Sequence, residues 1–401
     1  MSRPWRATHV ITRLILGGAQ ENTVASVLGL RQRPGLEADL VSGPTTGREG
    51  SIEPLVSSIP GCLTLLPNLV RPVHPVRDLL AYRDLVRIFR RRRPVIVHTH
   101  SGKAGLLGRL AARRAGVPIV LHTIHGPSFG PFQGALANLA FRSAERLAAR
   151  CTDHFVTVAH AMARQYMDAG MGAPGQFTRI RSGFDLGPFM GAQRNPALAA
   201  KLGLQPGDFV IGKVARLFRL KGHDELFAAL PAILQRIPNA RVLLVGDGPD
   251  RARYEAMAAC PPFAGRVVFA GLVPASEVAS CLALMDVLVH LSRREGLARV
   301  LPQAMAAGIP VVATDCDGAS EACIDGQTGF LVRPDAPELL VDRLGILAGS
   351  ASLGRAMAER GRRMVQAEFA TERMVDSLEA LYREWLARKG LAMRPELGMK
   401  G

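Results

Sequence analysis

The sequence predicts an α/β protein built as two doubly wound domains, each a parallel sheet with helices on its faces. Three observations carry this expectation. Short apolar runs alternate with amphipathic ones, the pattern of strand–helix–strand units with right-handed crossovers. The rhythm breaks once, over residues 183–206, where Gly183, Gly187-Pro188, Pro196 and Pro206-Gly207 cluster, and then resumes. The chain is 401 residues long, more than one hydrophobic core ordinarily organises.

Taken in order, His9–Leu16 reads as a strand, turned by Gly17-Gly18-Ala19-Gln20 into a helix that runs through Leu30. A second strand is expected at 36–42. Asp78–Arg92 is helical because Leu79, Leu80, Leu85, Val86, Ile88 and Phe89 form one apolar stripe, and Pro94 stops it. Val95–His98 follows as a strand, Ala104–Ala115 as a helix and Pro118–Leu121 as a strand. A helix at 135–150 and a strand at Phe155–Val158 complete this series. The second series has strands at Phe209–Val214, Val242–Val245, Val267–Ala270, Val287–His290, Val311–Ala313 and Gly329–Val332. Its helices include Gly222–Gln235 and Glu277–Leu284, and 371–388 is a last amphipathic helix, expected to cross back to the first domain. The expected domains are therefore 1–190, 191–370, and a terminal helix and tail at 371–401. Sheets of this kind bind ligands beyond the carboxyl ends of their strands, so a cleft between the two domains is the expected place for chemistry.

Composition narrows the function. Hydrophobic residues make up 48% of the chain, as in a globular protein. Six scattered cysteines without a C-x-x-C pair point to a reducing compartment and away from zinc or a disulfide framework. The first residues make a poor signal peptide and no uncharged apolar run could span a bilayer, so a cytoplasmic location is expected. The net charge is +16 and is uneven: residues 1–190 hold 24 Lys/Arg against 11 Asp/Glu, residues 191–401 hold 26 against 23. The first half should face something anionic, such as a phospholipid surface or an anionic lipid-linked acceptor. The basic amphipathic run Arg77–Arg93 fits the first, docked on its sheet rather than inserted. Nucleic acid is not expected, because aromatic content is only 5% and no recognition motif accompanies the charge.

The most informative stretch is Ser292–Thr314: a polar turn, a short apolar helix, Gly308-Ile-Pro310 and a buried strand. Glu295 is expected just before the helix and Gln303 eight positions on, inside it. Helix starts offer unpaired N–H groups to phosphate-bearing ligands. Upstream, Arg216 and Lys221 follow the first strand of the second series, where fixed cations could stabilise a departing diphosphate without a metal; a solvated loop is the bland alternative. Gly246 ends the next strand in a glycine turn, which any tight turn could produce. Gly17-Gly18 would let a ligand approach the backbone closely. His98-Thr-His100 hints at a metal pair, but no carboxylate or cysteine sits at a suitable spacing and strand residues alternate faces, so no metal is expected. Lys103 lacks the rest of a Walker motif, and Asp315-Cys-Asp317 is read as a loop.

These motifs together resemble the retaining glycosyltransferases of family 4, which have the GT-B fold, and the resemblance covers essentially the whole chain. It implies that Arg216 and Lys221 occupy an R-x4-K phosphate clamp. Glu295 and Gln303 occupy an E-x7-E pair, with an amide in place of the second carboxylate. Glu295 would then contact the donor sugar or adjacent phosphate, and Gln303 the ribose. The backbone of Leu297, Ala298, Arg299 and Val300 would face the pyrophosphate, with Gly246 and Leu272 bordering the nucleotide. Gly17 and Gly18 would lie near donor phosphate and acceptor, and His125 would orient a sugar hydroxyl or carry a proton. The implied reaction transfers a sugar from a nucleotide-sugar, a UDP-sugar by family frequency, to a lipid-linked saccharide or polysaccharide such as lipopolysaccharide. It would retain configuration and use neither metal nor cofactor, at the cytoplasmic membrane's inner face. Two rival readings remain: a sugar-nucleotide epimerase of the same fold, and a catalytically weak binding protein suggested by Gln303.

Overall fold

The computed structural model describes residues 4–46, 50–130 and 133–391. The chain divides into two compact units, one running to Phe184 and resuming at Thr371, the other spanning Asp185–Ala370. The change falls inside the Gly- and Pro-rich break. That break is not a bare linker, since it carries short helices Gly187–Met190 and Pro196–Lys201, the second capped by the Asn195 side chain. The tail beyond residue 391 lies outside the described residues.

In the first unit β1 (Trp5–Ile11), β2 (Leu36–Ser42), β3 (Leu63–Leu65), β4 (Ile96–His100), β5 (Ile119–Ile124), β6 (His154–Thr157) and β7 (Phe177–Arg179) form a parallel sheet in the order β3-β2-β1-β4-β5-β6-β7. Strand alternation splits its apolar residues between two cores. Ala7, Ile11, Ala38, Leu40, Ile96 and Leu121 pack against the helices Gly18–Arg31 and Thr371–Arg388. Val10, Val41, Val97 and Val120 pack against Pro75–Arg92 and Gly102–Ala115. The last helix buries Met374, Val375, Leu378, Leu381, Tyr382 and Leu386, a spacing that keeps them on one stripe, and so returns to the first unit as expected.

In the second unit β8 (Phe209–Val214), β9 (Ala240–Val245), β10 (Val267–Gly271), β11 (Val287–His290), β12 (Val311–Thr314) and β13 (Gly329–Val332) are parallel in the order β10-β9-β8-β11-β12-β13. Ile211, Val242, Leu244, Val287, Val289 and Val312 share a core with Leu226, Leu230 and Ile233 of the His223–Arg236 helix.

Several expectations shift. β1 starts at Trp5 and leaves the sheet after Ile11, where its register with β2 ends; Leu14 is buried outside the strand. The edge strands β3 and β7 escaped the sequence reading because three residues carry too little pattern. On the Pro75–Arg92 helix, Leu85, Ile88 and Phe89 cover the sheet, but Leu79 and Leu80 remain 50% and 39% exposed. Among the described residues no helix is long and apolar enough to cross a membrane.

Candidate functional site

The second sheet reverses its strand order between β8 and β11, the position where loops leave in opposite directions and ligands ordinarily bind. The loop after β8 carries Arg216 and Lys221, and the loop after β11 carries Glu295. The two loops cross at Gly222, whose φ is +73° and where a Cβ would lie 1.8 Å from the Leu291 carbonyl oxygen, so only glycine fits. Arg293 N donates to Leu220 O at 3.0 Å and fixes the crossing.

This crossing brings Lys221 to Glu295, whose Oε1 accepts from the ammonium. Ser292 Oγ lies 3.0 Å from the same oxygen and 3.1 Å from Leu220 O, and Glu295 N donates to Asp317 Oδ2 at 2.8 Å. His290 Nε2 stands 3.5 Å away. Burial disfavours the Glu295 carboxylate, yet His290 and Lys221 outweigh it and hold its pKa far below the usual range. Lys213, on β8, is fully buried and its Nζ has no hydrogen-bond partner among the described residues. Burial pushes its pKa down to about 7, with Glu225 and Glu295 opposing and Lys221 assisting. Burial likewise brings His223 to about 3, helped by Lys213 and His290. Glu295 therefore lies between the Lys221 ammonium and the buried Lys213, with neutral imidazoles beside it and Asp317 and Glu225 as further carboxylates.

Other predicted residues fall around this crossing. Arg216 is exposed, its guanidinium 5.9 Å from the Phe218 ring. Gly246 has φ +134°, and a Cβ there would meet the Ala215 carbonyl at 2.2 Å, so the contact between the loops after β8 and β9 already requires glycine. Leu272 follows β10 and is 50% exposed. Leu297 and Ala298 are buried, Arg299 caps the Val300–Ala306 helix, and Gln303 is half-buried on it. The expectation that Glu295 directly precedes this helix is corrected. Residues 291–299 are irregular, because Ser292 and Asp317 hold the segment in place of helical bonds. Asp317 thus anchors the site, which explains the Asp315-Cys-Asp317 loop in structural terms.

The first sheet reverses between β1 and β4. Gly17 caps the helix that follows β1 with extended backbone (φ 169°), and a Cβ there would meet only the flexible end of Gln20. The fold itself does not demand glycine at that position. After β4, Ser101 has φ 64° and ψ 169°, a region almost confined to glycine and typical of functional sites. His125 follows β5, and its Nε2 lies 3.1 Å from His100 Nδ1. Lys103 is paired with Asp78 at 2.5 Å. The argument against a histidine cluster here is corrected: His98 and His100 are two apart and so share a face. His9 joins them through its register with His98, and the three imidazoles come within 4.8 Å of one another.

Family models match this architecture on both sides. The glycosyl transferase 4-like domain covers residues 17–183 and the glycosyl transferases group 1 domain covers 195–364. The chain belongs to the group 1 glycosyl transferases. The chain is 31% identical over 379 residues to a GDP-mannose-dependent alpha-mannosyltransferase of Mycobacterium tuberculosis, covering 86% of this chain and 94% of the relative. It is 27% identical over 334 residues to the Escherichia coli UDP-Gal:alpha-D-GlcNAc-diphosphoundecaprenol alpha-1,3-galactosyltransferase, covering 81% and 84%. Anabaena HepE in complex with UDP and glucose superposes with a TM-score of 0.79 at 21% identity, over 95% of this chain and all of that one, which establishes the GT-B fold.

In this glycosyltransferase, sequence reasoning missed Lys213, Ser292, His290, His223 and Asp317. Lys213 had a readable signal, since a lone cation in the strand Phe-Val-Ile-Gly-Lys-Val contradicts its own pattern. The others are ordinary residues of a strand, a helix start and two loops, whose meaning depends on how the loops after β8, β11 and β12 meet.

Proposed function

We propose that this glycosyltransferase moves a sugar from a UDP-sugar to a lipid-linked saccharide or growing polysaccharide, with retention of configuration and without a metal. The observation that carries the reading is the Lys221–Glu295 pair, with the buried Lys213 near it, at the β8/β11 reversal. When the bond between the anomeric carbon and the diphosphate breaks, charge develops on the phosphate oxygens. Arg216 and Lys221 are the fixed donors that would neutralise it. Glu295, held ionised by its neighbours, would accept hydrogen bonds from sugar hydroxyls, while Gln303 would hold the ribose. The Leu297–Val300 backbone would face the diphosphate and Leu272 the base. In the first unit, Gly17 and Gly18 would admit the phosphate or acceptor closely, and His125 would take the acceptor proton.

The acceptor class is supported by the E. coli relative, whose name places its acceptor on diphosphoundecaprenol. The base is divided between relatives, one using UDP-Gal and another GDP-mannose. Turnover measured across matched UDP- and GDP-sugars, with and without EDTA, tests both points. Preference for a GDP-sugar overturns the choice of base, and loss of transfer on chelation overturns the metal-free step. The matched relatives named above are transferases, which disfavours the epimerase reading.

The basic first unit would rest on anionic lipid at the inner face of the cytoplasmic membrane. Val73, Val76, Leu79 and Leu80 are exposed beside the exposed Arg77, Arg83 and Arg87, and each cation near such a surface contributes about 1 kcal/mol. Sedimentation with phosphatidylglycerol vesicles, reversed by salt, is the expected result. Equal binding to neutral vesicles removes the electrostatic argument.

A further inference from the structure

We propose that one continuous chain of hydrogen bonds, buried except at its His125 end, ties the tautomer of His125 to those of His100, His9 and His98, with Tyr382 of the C-terminal helix as the positioning residue in the middle of that chain.

The chain follows from the sheet's own geometry. His9 on β1 and His98 and His100 on β4 point to the face covered by the Thr371–Arg388 helix, and all three are buried. That helix lowers Tyr382 between them. From one end, Thr123 Oγ1 lies 2.7 Å from His98 Nε2, and His98 Nδ1 lies 2.6 Å from the Tyr382 hydroxyl. The hydroxyl lies 3.0 Å from His9 Nε2, and His9 Nδ1 is 2.9 Å from His100 Nε2. His100 Nδ1 then reaches His125 Nε2 at 3.1 Å. Both ring nitrogens of His9, His98 and His100 are each used once.

Protonation state turns this chain into a constraint. Burial brings His9 to about 3, holds His98 and His100 well below their ordinary value, and holds Tyr382 well above its own. Each imidazole is therefore neutral near pH 7, with one N–H donor and one bare nitrogen acceptor. A neutral hydroxyl likewise has one proton to give. Donors must then all run the same way, since a reversal at an imidazole would set two protons, or two lone pairs, against each other, and a reversal at the hydroxyl, which can accept twice, would leave its buried proton without an acceptor. Only two arrangements satisfy every bond and also use the Tyr382 proton. If Thr123 starts the donation, His125 Nε2 accepts and its proton sits on Nδ1. If His125 Nε2 donates, the neutral ring carries no proton on Nδ1. Passing from one to the other moves protons along the whole chain and leaves no charge in the core, which low dielectric would penalise heavily. A cavity of about 10 Å³, room for one water, borders His98, His100 and Thr123 together with Asn22 and Ser26.

The catalytic consequence rests on the proposed role of His125, but tautomer control does not. Tyr382→Phe keeps the ring and removes the middle link. Nitrogen-15 spectra of histidine side chains should show His125 and His98 in matching tautomer proportions in the wild type and in unmatched proportions in Tyr382→Phe. The donor KM should be unchanged and kcat should fall about tenfold or more. Leu381→Ala, a packing loss on the same helix, should lower stability without moving the His125 signals. Unmatched proportions already present in the wild type, or an unaltered spectrum in Tyr382→Phe, overturn the chain. So does stoichiometric zinc in the purified protein, because a metal among His9, His98 and His100 would occupy the nitrogens that the chain uses. A changed spectrum with unchanged kcat supports the chain and instead removes His125 from the reaction.

Discussion

Lys221 Nζ is hydrogen-bonded to Glu295 Oε1, joining residues 74 positions apart across the loops that follow β8 and β11. Their side chains are only 23% and 21% exposed, so water screens the pair poorly. Each is the other's counter-charge before any ligand arrives. A diphosphate entering the cluster must therefore share Lys221 with Glu295.

That sharing separates the two substitutions at Glu295. Glu295→Ala removes the proposed sugar contact and is expected to lower kcat about 100-fold or more, the scale of a lost charge-stabilising contact. Glu295→Gln keeps shape and one acceptor while freeing Lys221, so nucleoside diphosphate inhibition should tighten even as kcat drops. Steady-state rates with product inhibition check both. Unchanged transfer in Glu295→Ala would remove this residue from the site.

Lys213 should trade stability for function. It is a buried ammonium without a hydrogen-bond partner among the described residues, and its folded pKa of about 7 lies below the ordinary 10.5. At and below pH 7 the fold carries nearly the full cost of holding the charge, and the cost fades as pH rises toward 10.5. Lys213→Met should raise the melting temperature, by about 1–4 kcal/mol in stability, most clearly below pH 7. Turnover should fall, since Lys213 adds positive charge near Lys221 and Glu295. A lower melting temperature would mean that the lysine is paired in solution.

Acid should unfold the first unit through its histidines. His9, His98, His100 and His122 are buried with lowered pKa values, so the unfolded chain takes up protons below about 6.5 while the folded one does not. Stability is then full above that value and declines as pH falls toward the folded values. Each histidine contributes up to about 1.4 kcal/mol per pH unit. Thermal melts at pH 7.5, 6.5 and 5.5 should show a steepening loss. A flat profile would place charged imidazoles in the native core.

The fold was legible because each strand–helix unit states its own period: β8, β11 and β13 and the 371–388 helix have the bounds their apolar patterns predict. The site was legible only in its motif residues. Arg216, Lys221 and Glu295 stand out by spacing, but the partners that hold Glu295 are only partly local: His290 and Ser292 share its segment, whereas Lys221 and Asp317 come from the loops after β8 and β12. Lys221 reaches it because Gly222 lets two loops touch, and no local pattern encodes a crossing. The histidine face was misread for a simpler reason. Alternation separates His98 from Thr99, not from His100, and the residue that completes the cluster lies on another strand.

Gln303→Glu tests the remaining departure from the family pattern. Gln303 lies on the Val300–Ala306 helix, half-buried, where the resemblance implies a carboxylate bonded to ribose. An amide accepts through one oxygen and donates through its nitrogen, whereas a carboxylate accepts through both atoms and more strongly. Restoring the carboxylate replaces a neutral hydrogen bond by a charge-assisted one, a gain of about 1 kcal/mol, or roughly fivefold in affinity. The donor KM should fall by that factor while kcat holds within about twofold, because the ribose contact is the same in ground and transition states. A rise in KM would instead mean that the Gln303 amide donates to the ligand. The nucleotide would then present an acceptor, such as a phosphate oxygen or base carbonyl, where the family presents ribose hydroxyls.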